Sequence, residues 1–545
     1  MSEGDPVPAS IAPAHGLYGS DRRFLSPAAR VLADKGVLKW VIAITAATGA
    51  LLEVIDTSIV NVALPNIQGN LGATLAEVGW ISTGYACANV IMIPLTAWLS
   101  DRFGRKSYLL FSLAGFTAAS ALCGVSTNLG MLIVARILQG LAGGGLLAKA
   151  QAILFETFPR EEQPAAQAIF GIGVIAGPAF GPVLGGYLTD ALGWRWIFFI
   201  NLPVGILAVI MTMIFLPEDD PGEISVGRVD WTGIGLLTVG LACFQVMLEQ
   251  GQEDDWFSSN FIVAMAIGAA VGIGLLIWRE LTIDYPAVDL RVLRYRALSA
   301  GSTYSLILGM GLYGVIFAIP VFVQTYLHFT AMQSGQLQIP SAVASACAML
   351  LMGKISGLFD ARLLIAIGAL ITVAAAVMLS HINPDTGAGS LFWPLFLRGL
   401  GGVCMFIPLS LATLGNLPAD KVSAGSGFYN LTRQLGSSIG IAIITTLLPH
   451  REAIHRAVLV EQANPAHAQM LSRIGFLSGA LARHSADSVA VRSQALGIVD
   501  RLINAQAMLL SFADVFLYVA VAFLASLPLL LLLGRGRGRV SAAAH

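Results

Sequence analysis

The chain alternates between long apolar blocks and short polar stretches along most of its 545 residues. Each block is about 20 residues long, the length that crosses a bilayer as a helix. A window of roughly 19 residues predicts about fourteen such spans. They begin near Leu38, Val78, Ser107, Met131, Ala168, Trp196, Trp231, Phe261, Leu298, Ser334, Leu363, Leu391, Ala424 and Leu509. No block alternates with the period of a strand, so the expected fold class is all-α and polytopic. The one long polar interval, His450 to Asn504, repeats apolar residues at helical spacing (Ile454, Val458, Leu471, Ile474, Leu477, Leu481) and predicts two amphipathic helices.

Composition agrees with the pattern. Hydrophobic residues make up 56% and charged residues 12%, with a mean hydropathy of +0.76. That charged share is about half that of a soluble domain. The net charge of −1 gives no case for nucleic acid, because the basic residues are sorted by loop rather than gathered on one face. Arg102, Arg105, Lys106, Arg160, Arg228, Arg291, Arg294, Arg362 and Lys421 fall in one set of loops, together with the basic residues of both tails. The positive-inside rule then places both termini in the cytoplasm and the 450–504 loop outside. All five cysteines lie within apolar blocks, which argues against a disulfide framework. No cleavable signal peptide is expected at the start.

The chain also repeats itself. "AWLSDRFGRKSYLL" after the second span is echoed by "GKISGLFDARLL" after the tenth, and "ARILQGLAGG" in the fourth by "FLRGLGG" in the twelfth. The offsets, 259 residues from Asp101 to Asp360 and 262 from Arg136 to Arg398, nearly coincide. Parallel six-span repeats with a site between the halves are one way secondary transporters are built. The expected organisation is a tail (1–37), a first six-helix bundle (38–217), an inserted pair of spans with linkers (218–296), a second bundle (297–535) carrying the 450–504 loop, and a tail (536–545).

Polar residues inside spans mark the chemistry. Glu53 and Asp56, in "LLEVIDTSIVNVALP", share one helix face with Thr57 and Asn61. A carboxylate at the bilayer centre costs roughly 2.5–3.5 kcal/mol. Two close carboxylates in low dielectric cannot both ionise cheaply, so this face is a candidate proton site. The alternative is a satisfied structural pair, with one acid bonded to Arg136 of the fourth span. Lys149 is the other intramembrane charge, and snorkelling to the interface is its simpler reading. Val315, at the repeat offset from Asp56, carries no acid. No metal-ligand spacing occurs, since His450 and His455 are five apart, and no phosphate-binding loop is present, so protons rather than ATP are the expected energy source and no cofactor is expected.

Three stretches resemble a known family: "LSDRFGRK" (99–106), "RILQGLAGG" (136–144) and "GPAFGPVLGG" (177–186) followed by "WRWIFFINLPVG". With the Glu53/Asp56 stretch they are similar to the signature motifs of the drug:proton antiporters of the major facilitator superfamily, in the fourteen-span EmrB/QacA-type branch. "LEQGQEDDWFSS", "RQLGSSIG" and "HREAIH" extend the resemblance, which runs from about Trp40 to Leu533.

The resemblance implies roles. Asp56 falls on the family's acid and is the expected proton carrier, relieved by Arg136; Glu53, where many members have an apolar or amide residue, is expected from its i,i+3 spacing to tune that site. Arg136 also has a structural reading, bonding backbone carbonyls of a broken helix. Asp101, Arg102, Gly104, Arg105 and Lys106 form an expected inner gate, or else only a basic topogenic loop. Gly177, Pro178, Gly181, Pro182, Gly185 and Gly186 mark the antiporter type. Ala97 and Ala168 stand where the family pattern has glycine. By residue type, Asn61, Gln139, Tyr304, Tyr313, Phe317, Gln324, Met405 and Phe406 are candidates for an adaptable substrate wall, with core packing the simpler reading for any one of them. The implied function is proton-coupled export of lipophilic compounds across a bacterial inner membrane. The implied partners are an EmrA-like periplasmic membrane-fusion adaptor, docking on the 450–504 loop, and an outer-membrane channel. A helical hairpin lying on the membrane is the alternative for that loop. An uptake symporter and a polytopic membrane enzyme are the alternatives for the function; the glycine motif argues against the first and the lack of a nucleophile or metal site against the second.

Overall fold

The structure, a computed structural model, describes residues 24–219, 228–463, 468–481 and 488–533. The tails at 1–23 and 534–545, part of the 218–296 linker and two short stretches of the 450–504 loop lie outside the described residues. Among the described residues all regular elements are helical. The long helices are α1 (Leu38–Leu71), α2 (Leu75–Phe103), α3 (Arg105–Val125), α4 (Leu129–Gly143), α5 (Leu146–Thr157), α6 (Gln163–Leu192) and α7 (Asn201–Phe215). They are followed by α8 (Trp231–Gln250) and α9 (Asn260–Thr282), then α10 (Arg296–Thr325), α11 (Ile339–Ile355), α12 (Ala361–Ser380), α13 (Ala388–Leu414), α14 (Val422–Gln462), α15 (Ala468–Leu481) and α16 (Ser488–Ser526).

Thirteen spans among the described residues are long and apolar enough to cross a membrane, with α4 and α5 together forming one. The 30-residue α6, which carries no charge from Pro164 to Thr189, occupies the remaining expected position. The start sites follow local chemistry. Thr74 and Glu77 form a reciprocal capping box at α2. Asn128 accepts from the Met131 N–H at α4, and Asp230 from the Gly233 N–H at α8.

The two bundles meet along α5, α6, α13 and α14. Ser426 donates to the Ala148 carbonyl (2.8 Å), Asn430 to Gln151 (2.7 Å) and Ser410 to Gln167 (3.4 Å). The inserted helices α8 and α9 pack on each other where Gly240 faces Gly272. They lie over the seam, since Gln250 bonds Thr83 of α2 and Gln245 bonds Ser438 of α14.

Two expectations change here. The 450–504 region is not a separate helix pair. Span 13 runs on as α14 to Gln462, α15 folds back, and α16 starts at Ser488, some twenty residues before its membrane block. Arg451 and His455 of α14 hold Asp514 of α16, and Arg456 bonds Asp500 and Asn504. A small apolar core of Ile474, Ala495 and Val499 completes this headpiece. Lys149 does not snorkel either: it is 2% exposed, donates to Ser100 and lies 5.4 Å from the Tyr108 ring. Its ammonium is enclosed by the bundle at Ser100, beside the "LSDRFGRK" loop.

Candidate transport site

The fourth span is broken. α4 ends at Gly143, Gly145 takes φ +89°, and α5 restarts at Leu146. The restart leaves the Leu147 N–H free to donate to Glu53 (2.8 Å). Asn89 of α2 donates to the other Glu53 oxygen (2.8 Å). The Glu53 carboxylate therefore rests on neutral donors at a helix N-terminus.

Asp56 has a different shell. Arg136 donates to it at 2.5 Å, Gln139 at 2.9 Å and Asn201 at 2.9 Å, and Asp56 is fully buried. Arg136 also bonds Gln139 (2.7 Å) and stacks over Tyr85 at 4.2 Å. The helical spacing of Glu53 and Asp56 was legible, yet the tertiary packing gives each acid its own partners. The acid bonded to Arg136 is Asp56. Asn89 and Asn201 were not singled out in the sequence; amides within apolar spans were their signal.

The glycines of α6 hold this helix in place. A methyl group at Gly177, Gly181 or Gly185 would collide with Val54, Ser58 or Ile59 of α1. Ser58 donates to the Gly177 carbonyl (3.2 Å). Gly186 faces elsewhere, with its nearest neighbour 3.8 Å from where a Cβ would sit.

Pro178, on the same helix, lines a cavity between the two bundles. Val174 joins it from α6, Tyr313 from α10, and Gln338, Ser341 and Ser345 from the neighbourhood of α11. Arg398 and Phe406 of α13 and Arg433 of α14 complete its wall. Of the expected wall residues, Tyr313 and Phe406 line this cavity. Gln139 belongs to the Asp56 shell, and Asn61 is exposed and bonded by Ser82 (3.0 Å). Tyr304 is buried against Ser526, Met405 against α12 near Gly368, Phe317 packs into the second-bundle core, and Gln324 is exposed. Facing the cavity needs one particular helix side, which side-chain type does not reveal. Arg433 was missed although it interrupts an apolar block.

The "LSDRFGRK" loop is organised by an acid outside the motif. Gly104 has φ +90° and ψ 151°, a conformation close to glycine-only. A side chain there would strike Asp219, which follows α7. Asp219 accepts from the Lys106 and Ser107 N–H groups (2.9 and 3.0 Å). Lys106 pairs with Glu218 (3.0 Å) and Arg105 with Glu156 (3.5 Å), while Asp101 is exposed rather than turned to the buried side.

Two helical bundles, a broken span, buried carboxylates and a cavity at the seam define a secondary transporter. The profile of the Major Facilitator Superfamily matches residues 46–441. The chain is 34% identical over 496 residues to the multidrug export protein EmrB of Escherichia coli K12, covering 91% of this chain and 95% of that protein. It is 31% identical over 492 residues to the fatty acid resistance protein FarB of Neisseria gonorrhoeae, covering 90% and 95%. The crystal structure of the human organic anion transporter MFSD10 superposes with a TM-score of 0.56 at 14% identity, covering 89% of this chain and 99% of that one, and shares the fold. The chain belongs to the Major Facilitator Superfamily, in its EmrB-type branch, and is a multi-pass membrane transporter.

Proposed function

We propose that this transporter exports lipophilic compounds in exchange for protons, by alternating access of its two bundles. The carrying observation is that α6 serves both sites at once. Its glycine face clasps α1 at the turns beside Glu53 and Asp56, and its Pro178 face lines the cavity. A change of charge on α1 is thereby tied to the shape of the cavity wall. Export is the direction named for EmrB, and the glycine motif is of the antiporter type.

Within the carboxylate pair, Glu53 is the group that exchanges the proton most readily. Its partners are neutral, whereas ionised Asp56 is matched to Arg136. Neutralising Asp56 would strand a buried guanidinium. This reverses the roles expected from the family motif, with Asp56–Arg136 as the fixed pair beside the moving proton. The seam contacts of α5 with α14 and the Gly104 loop then form the inner gate. Both termini are assigned to the cytoplasm of a cell with an inner membrane, with the headpiece outside as the docking place for a membrane-fusion adaptor leading to an outer-membrane channel.

Proteoliposomes test the coupling. A compound chosen from a growth panel of toxic agents should drive proton movement through the wild type and not through Glu53→Gln. Full exchange by Glu53→Gln, with loss only in Asp56→Asn, would restore Asp56 as the carrier. Failure of the expressing strain to resist any lipophilic agent would remove the export reading.

A further inference from the structure

The cavity wall contains two buried guanidinium groups without a carboxylate. Arg398 is 8% and Arg433 5% exposed. Arg398 spends one terminal nitrogen, Nη2, on Gln338 and Ser341 (2.9 Å each), and its Nη1 has no partner. Arg433 gives Nη2 to Asn430 (2.7 Å), faces the Phe406 ring at 5.4 Å, and its Nη1 also has no partner. Two other arginines of the spans are neutralised by contrast, Arg136 by Asp56 and Arg279 by Asp230. Glu53 acts on Arg433 only at a distance, being bonded to Asn89 and Leu147.

Arg398 occupies in the second bundle the place of Arg136 in the first, but Val315 stands where Asp56 would be. The guanidinium persists and its acid does not. A buried charge left unpaired is expensive, and inside a membrane protein it marks a functional site. Guanidinium groups also suit carboxylates, which they bind by paired, charge-assisted hydrogen bonds.

We propose that Arg398 and Arg433 form an anion subsite, so that the cavity selects amphiphiles bearing an acidic group, with Tyr313 and Phe406 against the apolar body. This rests on the cavity being the transport site, and deepens that reading by naming the substrate class.

The test uses the purified full-length chain in nanodiscs and three fluorescent probes of one shape: a naphthalenecarboxylate, its methyl ester and naphthylmethylammonium. The carboxylate should bind about ten- to a hundredfold more tightly than the ester, the range expected for charge-assisted hydrogen bonds. Arg433→Gln and Arg398→Gln should each lose most of that ratio while binding the ester as before, and Arg433→Lys should recover part of it. Ester binding reports an intact cavity in each variant. For a Gln variant that binds neither probe, the Lys version, which keeps the charge, takes its place and should retain the preference. Equal binding of acid and ester, tighter binding of the ammonium, or a preference that survives the double Gln variant overturns the subsite. The export reading fails separately: neutral or cationic agents exported without a carboxylate preference leave it standing and remove only the subsite. A carboxylate preference in a chain that protects cells from nothing does the reverse.

Discussion

At the residue scale, the two carboxylates of α1 differ by what faces them. Asp56→Asn leaves Arg136 buried without its counter-charge, a loss of roughly 3–5 kcal/mol for a broken buried pair. Glu53→Gln keeps an acceptor for Asn89 or Leu147 and strands no cation. Purified Asp56→Asn should therefore melt well below wild type and Glu53→Gln close to it; the opposite order would contradict the assignment of a fixed pair and a mobile proton. A third carboxylate, Asp230, lies at the start of α8. Burial raises its carboxyl, but hydrogen bonds from Arg279 and the Gly233 N–H outweigh this and hold it below the ordinary carboxylate value. Its contribution to stability is thus present above the unfolded value of about 3.9 and lost as pH falls through the folded one. Melting curves from pH 7 downward should show Asp230→Asn less stable at neutral pH and flatter than wild type in acid.

At the element scale, α6 is the part whose sequence and packing agree most closely. Three glycines four residues apart make one smooth stripe, and α1 fills it with Val54, Ser58 and Ile59. Gly181→Val would push the helices apart at Ser58 and should abolish transport while lowering stability. Gly186→Ala, whose Cβ would meet its nearest neighbour at an ordinary contact distance of 3.8 Å, should behave as wild type in the same growth assay. Loss of function in both would mean that the motif works through helix flexibility rather than close approach. The Gly104 turn follows similar logic, because its positive φ and missing side chain make room for Asp219 to cap the next helix.

At the scale of the whole molecule, the headpiece is separable from the transport machinery. The Arg451–Asp514–His455 clamp sits at its base, and the apolar core of α15 and α16 lies beyond it. Replacing residues 457–503 by a short Gly/Ser linker keeps the clamp. The shortened protein should retain substrate-driven proton flux in liposomes and lose both resistance in cells and co-purification with the proposed adaptor. Undiminished resistance would count against docking. Phe476 (77%) and Val489 (76%) are exposed on the headpiece.

The sequence by itself determined the fold class and the span positions, because crossing a bilayer demands about 20 apolar residues with internally paired backbone, a constraint written in local composition. It also exposed Glu53, Asp56 and Arg136, since a charge in an apolar block stands out without any structure. Tertiary structure alone decided the pairing. Asp56 finds Arg136 from a helix 80 residues away, Asp219 reaches back across 113 residues to Lys106, and Lys149 ends in the interior rather than at the membrane surface. Arg398 and Arg433 meet one cavity because two helices turn the same way. Which side of a uniformly apolar helix faces a partner is set by packing against its neighbours, and such a helix carries little amphipathic pattern from which that side could be read.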